Sequence, residues 1–231
     1  MDKLSQAKEL FISITAHKLL TPLTLIKWNL ELLKKDSSLS ESAKQKLNDV
    51  DESVQKLDRF SNILMKIVQA KADQSENLNK VNKLYKVNIQ KVIDDVKKEL
   101  NLNDSLNVKS NLNLSMEKDL LLEEKELQYI FLSILDNAVS YSQNKPNLSL
   151  EVLEDGGKTV FTITDNGIGI LPDEQAMIGD AFYRSSNSQK LSVKGFGLSI
   201  YTCKLILESI NGSLEIESAG ENLGSKCKVK I

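Results

Sequence analysis

The sequence predicts an α+β protein in which a two-helix hairpin precedes an α/β sandwich. Between residues 4 and 69 there is one proline and no glycine, and apolar residues recur at spacings of three and four, as in long helices. Beyond about residue 82, short alternating segments typical of strands are mixed with helical patterns. Grouped strands mixed with helices are typical of one sheet covered by helices on one face.

The N-terminal hairpin is indicated by two apolar seams with a short polar break between them. The break falls at residues 35–38, and Ser40 followed by Glu41 can begin a second helix. The seams comprise Ile12, Ala16, Leu19, Leu23, Ile26, Leu30 and Leu33 in the first helix, and Ala43, Leu47, Val50, Val54, Leu57, Ser61, Leu64 and Val68 in the second. Because further apolar residues flank both seams, we expect two hairpins to pair as a homodimeric four-helix bundle.

The remaining chain is expected to form the sandwich after a polar linker. Residues 70–81 are rich in Lys, Asp, Asn and Gln, which indicates the linker. Helices are predicted at 88–100, 124–141 and 194–210, and strands at 106–112, 148–153, 159–164, 214–217 and 225–231. We therefore predict domains at 1–74 and 85–231, connected by residues 75–84.

Composition argues against several classes of protein. Thirty Lys and Arg against 32 Asp and Glu give a net charge of -2, unlike the basic surface of most nucleic-acid binders. Two cysteines and one histidine argue against a disulfide scaffold and against a metal site built from several His and Cys ligands. No apolar run approaches the roughly 18 residues of a membrane span, and the N-terminus lacks the apolar stretch of a signal peptide. We expect reduced thiols and a cytoplasmic location.

The single histidine, His17, follows the seam residue Ala16 and is expected to face outward. Pro22 lies five residues later, where it removes a backbone donor, frees a carbonyl near Lys18 and bends the helix. By itself this pattern is most simply a solvated histidine in a kinked helix. Its interpretation depends on motifs further along the chain.

Three polar motifs stand out in the C-terminal part. Asp165 follows a predicted strand and begins the sequence Asp-Asn-Gly-Ile-Gly, where the backbone can approach a ligand closely. Residues 194–200 place two glycines before a helix, whose free N–H groups suit phosphate. Asp136 and Asn137 interrupt an apolar helix, and an Asn oxygen there could bind a metal. Each motif alone also has an ordinary explanation: a tight turn, a flexible loop before a cap, or a polar helix face.

In their order, these motifs resemble those of a sensor histidine kinase of two-component signalling, over nearly the whole chain. Residues 17–23 resemble the phospho-acceptor box, 134–142 the N box, 165–169 the first glycine box, 182–184 the F box and 195–198 the second glycine box. The resemblance implies that the hairpin dimerises and carries the phosphoryl group. It also implies that the sandwich is the ATP-binding domain shared with gyrase and heat-shock-90 ATPases.

The resemblance assigns a role to each motif. His17 would be phosphorylated from ATP and would pass the group to an aspartate of a response-regulator receiver domain. Thr21 would position water for dephosphorylating that partner, Asp165 would bond the adenine amino group, and Asn137 would hold Mg²⁺. A mobile lid would extend from about residue 171 to 194. The nucleotide contacts would be Asn137, Tyr141, Asp165, Gly167, Gly169, Arg184, Gly195, Gly197 and Leu198.

Several positions depart from the family pattern. Lys18 stands where an acidic or amide residue usually follows the histidine, and a charged Lys cannot accept the imidazole proton. Ser133 stands where hydrolytic relatives carry a water-activating Glu, which argues against a gyrase-like ATPase. The other departures are Leu20, Ser140, Gly179 and Val193. These changes leave open a phosphatase-biased kinase, a pseudokinase scaffold that binds nucleotide with little autophosphorylation, and a dimerisation element with a degenerate ATP fold. They also leave open whether the chain is part of a longer, membrane-bound sensor.

Overall fold

A computed structural model describes residues 3–35, 39–76, 83–143, 145–190 and 195–231; the side chains of residues 3–18, 73–76 and 190 are not among those described. The chain divides into two compact units, Met1–Ala72 and Asp73–Ile231. Among the described helices, none is both long enough and apolar enough to cross a bilayer.

The first unit is the predicted helical hairpin, formed by α1 (Lys3–Lys34) and α2 (Glu41–Glu76). The hydroxyl of Ser40 accepts a hydrogen bond from the Ala43 N–H at 3.2 Å, so Ser40 caps α2 as expected. Ion pairs between Lys27 and Asp58 at 2.9 Å and between Lys34 and Asp51 at 2.5 Å show that the two helices run antiparallel.

Only part of each apolar seam is buried within this hairpin. Leu23 and Leu30 of α1 pack with Val54 of α2 in a buried cluster. The seam residues Ile26 and Leu33 of the same helix are 42% and 47% exposed. Val50 and Leu57 of α2 are likewise exposed. Each hairpin therefore leaves an apolar edge uncovered, which we call the open seam: Ile26, Leu33, Val50 and Leu57.

The prediction that a linker begins at residue 70 is wrong. Helix α2 continues to Glu76, and Ile67 and Ala70 are buried. The segment from Ala70 to Glu76 contains neither Gly nor Pro, and its Lys, Ala, Gln and Glu residues favour helix despite being polar. The rest of this predicted linker, residues 77–81, lies outside the described residues.

The second unit is a five-stranded sheet covered by helices. The sheet strands are β2 (Leu106–Ser110), β4 (Leu148–Asp155), β5 (Lys158–Thr164), β6 (Ser213–Glu217) and β7 (Lys226–Lys230). Their spatial order is β2-β4-β5-β7-β6; β2 is parallel to β4 and the other neighbours are antiparallel. The main helices are α3 (Ile89–Glu99), α4 (Glu124–Ser140) and α6 (Ser199–Glu208).

Aromatic packing joins the helices to the sheet. Phe131 of α4 and Phe161 of β5 are fully buried, with ring centroids 5.2 Å apart at an edge-to-face angle of 73°. Helix α4 lies against α3 and α6. Along β4, buried residues alternate with exposed or half-buried ones. One face of the sheet therefore meets the helices, as the α/β sandwich prediction requires.

Four elements of this unit were not predicted from the sequence. A separate antiparallel ribbon joins β1 (Tyr85–Asn88) and β3 (Glu117–Leu120). A short 3₁₀ helix (Gln175–Met177) and helix α5 (Ser186–Lys190) lie within the predicted lid.

The predicted start of the last helix also needs correction, because α6 begins at Ser199 rather than at 194. Lys194 lies outside the described residues. Gly195 and Gly197 disfavour helix, and the Gly197 carbonyl instead accepts a hydrogen bond from the Phe182 N–H at 2.9 Å.

Candidate functional site

One cleft of the second unit brings most of the predicted binding residues together. It has a volume of about 180 Å³, far more than the roughly 10–15 Å³ that one water needs. It lies where the end of α4, the turn after β5, the lid and the start of α6 meet. Eight predicted residues line it: Asn137, Tyr141, Asp165, Gly169, Arg184, Gly195, Gly197 and Leu198. Gly167, in the middle of the turn, is buried and is not among the lining residues.

The carboxylate of Asp165 is held in a fixed orientation at the end of β5. Its Oδ1 accepts hydrogen bonds from the Gly167 N–H at 2.8 Å and from the Ser225 N–H at 3.2 Å, and its Oδ2 accepts one from the Ser225 hydroxyl. A carboxylate offers about four acceptor sites. The three bonds therefore orient the group and leave Oδ2 able to accept from a ligand donor.

A backbone contact joins this turn to α4. The N–H of Ile168 donates to the carbonyl of Tyr141, directly after α4, at 3.1 Å. Asn137 lies one helical turn before Tyr141, and its side chain is half-buried at the cleft. The adjacent Asp136 is exposed and also lines the cleft. The hydrogen bond between Ile168 and Tyr141 explains how residues almost thirty positions apart in the sequence come to share one site.

The loop between β6 and β7 forms part of the site and was missed by sequence reasoning. Gly169 and Gly224 both have positive φ, of 66° and 69°. A Cβ on Gly169 would lie 1.9 Å from the Gly220 carbonyl oxygen, and one on Gly224 would lie 2.0 Å from the Asp165 carbonyl oxygen. The two glycines therefore permit close packing of two loops. The available signal was the Gly-Ser pair at 224–225, directly before a strand that pairs with β5.

The glycine segment before α6 and the lid form the opposite part of the cleft. Arg184 donates to the Gly195 carbonyl at 3.4 Å and to the Ser188 carbonyl at 3.3 Å. Ser199, the first residue of α6, also lines the cleft. The N-terminus of this ten-residue helix and the guanidinium group together provide a positive environment suited to phosphate.

Both cysteines of the chain are buried, and neither forms a disulfide. Cys227 lines the cleft, and burial raises the pKa of its thiol to about 12, with the nearby Asp165 carboxylate as a smaller cause. The thiol is therefore protonated at neutral pH. It presents a neutral, apolar surface to the cleft.

The predicted phospho-acceptor region belongs to the first unit. His17 falls within α1, but its side chain and that of Lys18 lie outside the described residues. Thr21 is exposed. Helix α1 continues through Pro22 without ending, and the bend expected there stays a prediction.

Comparison with known proteins identifies both units. Residues 7–73 match the His Kinase A (phospho-acceptor) domain, and residues 122–231 match the histidine kinase-, DNA gyrase B- and HSP90-like ATPase domain. Sensor protein SrrB of Staphylococcus aureus is 26% identical over 218 residues, which are 93% of this chain and 36% of that protein. The chain thus spans about a third of the length of this curated relative.

Solved structures share the fold at lower identity. The full-length structure of ShkA in complex with AMPPNP has a TM-score of 0.64 at 19% identity, covering 95% of this chain and 44% of that one. The histidine kinase AdeS of Acinetobacter baumannii has a TM-score of 0.54 at 18% identity, covering 93% of this chain and 96% of that one. With a phospho-acceptor domain followed by an ATP-binding domain, the chain belongs to the sensor histidine kinases of two-component signalling and contains their catalytic core.

Proposed function

We propose that this chain is an ATP-dependent histidine autokinase that phosphorylates His17 and passes the phosphoryl group to an aspartate of a response regulator. An imidazole nitrogen of His17 would form the new bond to the γ-phosphorus, the bond to the bridging oxygen of ADP would break, and the imidazole proton would pass to solvent. The observation that supports this most strongly is the cleft, which gathers the predicted ATP contacts in the ATPase domain of a chain that also carries a phospho-acceptor domain. Because ATP is a cytoplasmic metabolite, we place the activity in the cytoplasm.

In this proposal the cleft binds the two ends of ATP with different chemistry. Asp165 accepts a hydrogen bond from the adenine amino group through its remaining Oδ2 lone pair. The phosphates lie against the glycine segment that contains Gly195 and Gly197, with Arg184 supplying positive charge. Gly167 contributes by donating its N–H to the Asp165 carboxylate rather than by touching nucleotide.

The donor set of the cleft fits Mg²⁺ better than a metal that needs an all-protein site. Within the described part of the chain, no group of three or more His, Cys, Asp or Glu side chains could hold a metal. Mg²⁺ usually binds through one or two protein oxygens, substrate phosphates and waters, and Asn137 offers an amide oxygen at the cleft. When bound, Mg²⁺ neutralises charge on the phosphates.

The residues around His17 determine the direction of the reaction. A histidine of ordinary pKa near 6.5 is largely neutral at pH 7 and can act as a nucleophile. Lys18 cannot take the proton that the imidazole releases, so we expect slow phosphorylation. Thr21 is exposed and lies one helical turn beyond His17, where its hydroxyl can orient a water toward the regulator's phosphoaspartate. This placement favours phosphatase activity as a second function.

We propose that the hairpin, within domain limits of 1–74, functions as a homodimer. The open seam (Ile26, Leu33, Val50 and Leu57) alternates with the residues that the hairpin buries. The open seam of a second hairpin could pack against this open seam, and the two hairpins together would complete a four-helix bundle. The catalytic domain is assigned to residues 85–231, with residues 75–84 as the connection.

A separate apolar stripe on α1 supports binding of the response regulator. Leu25, Trp28 and Leu32 are 58%, 64% and 55% exposed and share one face of the helix by their spacing of three and four residues. Since the buried Leu23 and Leu30 face α2, this face points away from the hairpin core. It begins two turns beyond His17, where a receiver domain that takes the phosphoryl group must bind.

Lys18 also supports an alternative function, a pseudokinase that binds nucleotide and regulator without phosphorylating itself. Labelling with γ-³²P-ATP and Mg²⁺ separates the two. We expect acid-labile, base-stable label on the wild-type chain and none on His17→Gln, with nucleotide affinity unchanged. Restoring a carboxylate with Lys18→Glu should accelerate labelling by about 10²–10⁴-fold, the usual contribution of a positioned base. If ATP binds and neither wild type nor Lys18→Glu is labelled, the kinase proposal is wrong and the pseudokinase stands.

A further inference from the structure

Ser218, directly after β6, joins two loops of the nucleotide cleft through its side chain. Its hydroxyl donates to the Gly224 carbonyl at 2.6 Å and accepts from the Ile170 N–H at 3.0 Å and from the Gly220 N–H at 3.3 Å. Ile170 ends the glycine turn that begins at Asp165. One hydroxyl therefore fixes the β6–β7 loop against that turn.

The backbone of the same residue is bonded to the lid. Gln175 begins the 3₁₀ helix Gln175–Met177. Its side-chain Nε2 donates to the Ser218 carbonyl at 2.9 Å, and its Oε1 accepts from the Ser218 N–H at 3.2 Å. This two-bond pairing resembles that between neighbouring strands, and it leaves the lid and Ser218 little freedom to move independently. Both residues are half-buried, so the pairing is partly shielded from water.

A short path of hydrogen bonds and one peptide bond leads from Ser218 to the base-recognition carboxylate. Gly224, which accepts from the Ser218 hydroxyl, is followed by Ser225, and Ser225 donates its N–H and its hydroxyl to Asp165. A shift of Asp165 and Ser225 on binding a base is thus passed to Ser218 through one residue and one hydrogen bond. From Ser218 it reaches Gln175 in the lid.

Resting on the proposed nucleotide site, we propose that Gln175 and Ser218 are positioning residues that couple recognition of the base at Asp165 to the lid. The coupling needs no phosphate, because the path begins at the carboxylate that meets the base. Adenosine alone therefore stabilises the lid. Without the Gln175 pairing, adenosine still binds, but the lid no longer responds to it.

The test uses the full chain and trypsin, which can cleave the lid after Arg184. In the wild type, saturating adenosine should slow cleavage after Arg184 severalfold. In Gln175→Ala, calorimetry should find adenosine affinity within about twofold of wild type, while the protection by adenosine is lost. ATP should dissociate from this variant about tenfold faster, because the two neutral hydrogen bonds that hold the lid are lost and only part of their free energy contributes to retaining ATP. Gln90→Ala, at a half-buried glutamine of α3, is the matched control and should behave as wild type.

Variants of Ser218 test the other half of the path. Ser218→Ala keeps the backbone pairing with Gln175 but loses the hydroxyl, so adenosine affinity should fall and Ser218→Thr should restore it. If Ser218 had only a structural role, Ser218→Ala would lower the unfolding temperature and would weaken adenosine and ATP binding together. Protection by adenosine that persists in Gln175→Ala, or that is absent in a wild type that binds adenosine, would overturn the coupling. A wild type that binds neither adenosine nor ATP would instead refute the proposed function.

Discussion

Replacement of Asp165 by Asn tests the base-recognition end of the cleft, and the structure predicts which way the amide will turn. Two N–H groups, those of Gly167 and Ser225, point at Oδ1. In Asp165→Asn the amide oxygen must occupy that position, since the reverse orientation would set an NH₂ group against two donors. The NH₂ group therefore replaces Oδ2, the atom proposed to accept from adenine.

The magnitude follows from the kind of bond that is lost. A hydrogen bond to a charged group is worth about 1.5–3 kcal/mol, so losing it lowers affinity by roughly ten- to a hundredfold. The fold should survive, because the oxygen keeps both N–H donors and the Ser225 hydroxyl can accept from the new NH₂ group instead of donating. Exchanging charged for neutral bonds at a half-buried site should lower the free energy of unfolding by only about 1–2 kcal/mol.

Isothermal titration calorimetry with ADP, paired with thermal unfolding, provides the measurement. Ser225→Ala is the matched control, since it removes one partner of the carboxylate but leaves Oδ2 charged and able to accept. It should reduce affinity less than Asp165→Asn does. Equal affinities in the wild type and Asp165→Asn would remove Asp165 from the binding site. Loss of binding accompanied by unfolding in Asp165→Asn would show that the carboxylate serves mainly to hold the loops.

Two further predictions concern the hairpin. The double substitution Leu33→Glu and Val50→Glu should convert the dimer to a monomer, because each protomer would bury two carboxylates at the interface. Light scattering at micromolar concentration measures the mass. A wild type that is already monomeric would contradict the dimer. Trp28→Ala should reduce phosphoryl transfer to the cognate receiver domain by about tenfold or more, as expected for a large aromatic contact, while leaving autophosphorylation of His17 unchanged. Equal transfer by both proteins would show that the regulator binds elsewhere.

The sequence by itself determined the elements whose apolar residues recur with a clear period or whose ends are marked by a capping residue. The paired seams predicted the hairpin, and Ser40 predicted the start of α2, because helix periodicity and capping are local properties. The strands predicted at 148–153 and 159–164 are likewise present as β4 and β5. The order of the motifs was enough to identify the family, since each motif is a short run of consecutive residues.

Tertiary structure decided what depends on pairing between distant segments. The ribbon of β1 and β3 consists of two four-residue strands that pair with each other, and each strand is too short to show a clear alternating pattern by itself. The end of α2 at Glu76 could not be predicted from the sequence, because a polar composition does not by itself end a helix. The contacts of Asp165 with Ser225, and of Gln175 with Ser218, join residues about 60 and 43 positions apart. Such contacts exist only once the sheet has placed β5, β6 and β7 side by side, because no local rule links residues that the chain brings together across strands.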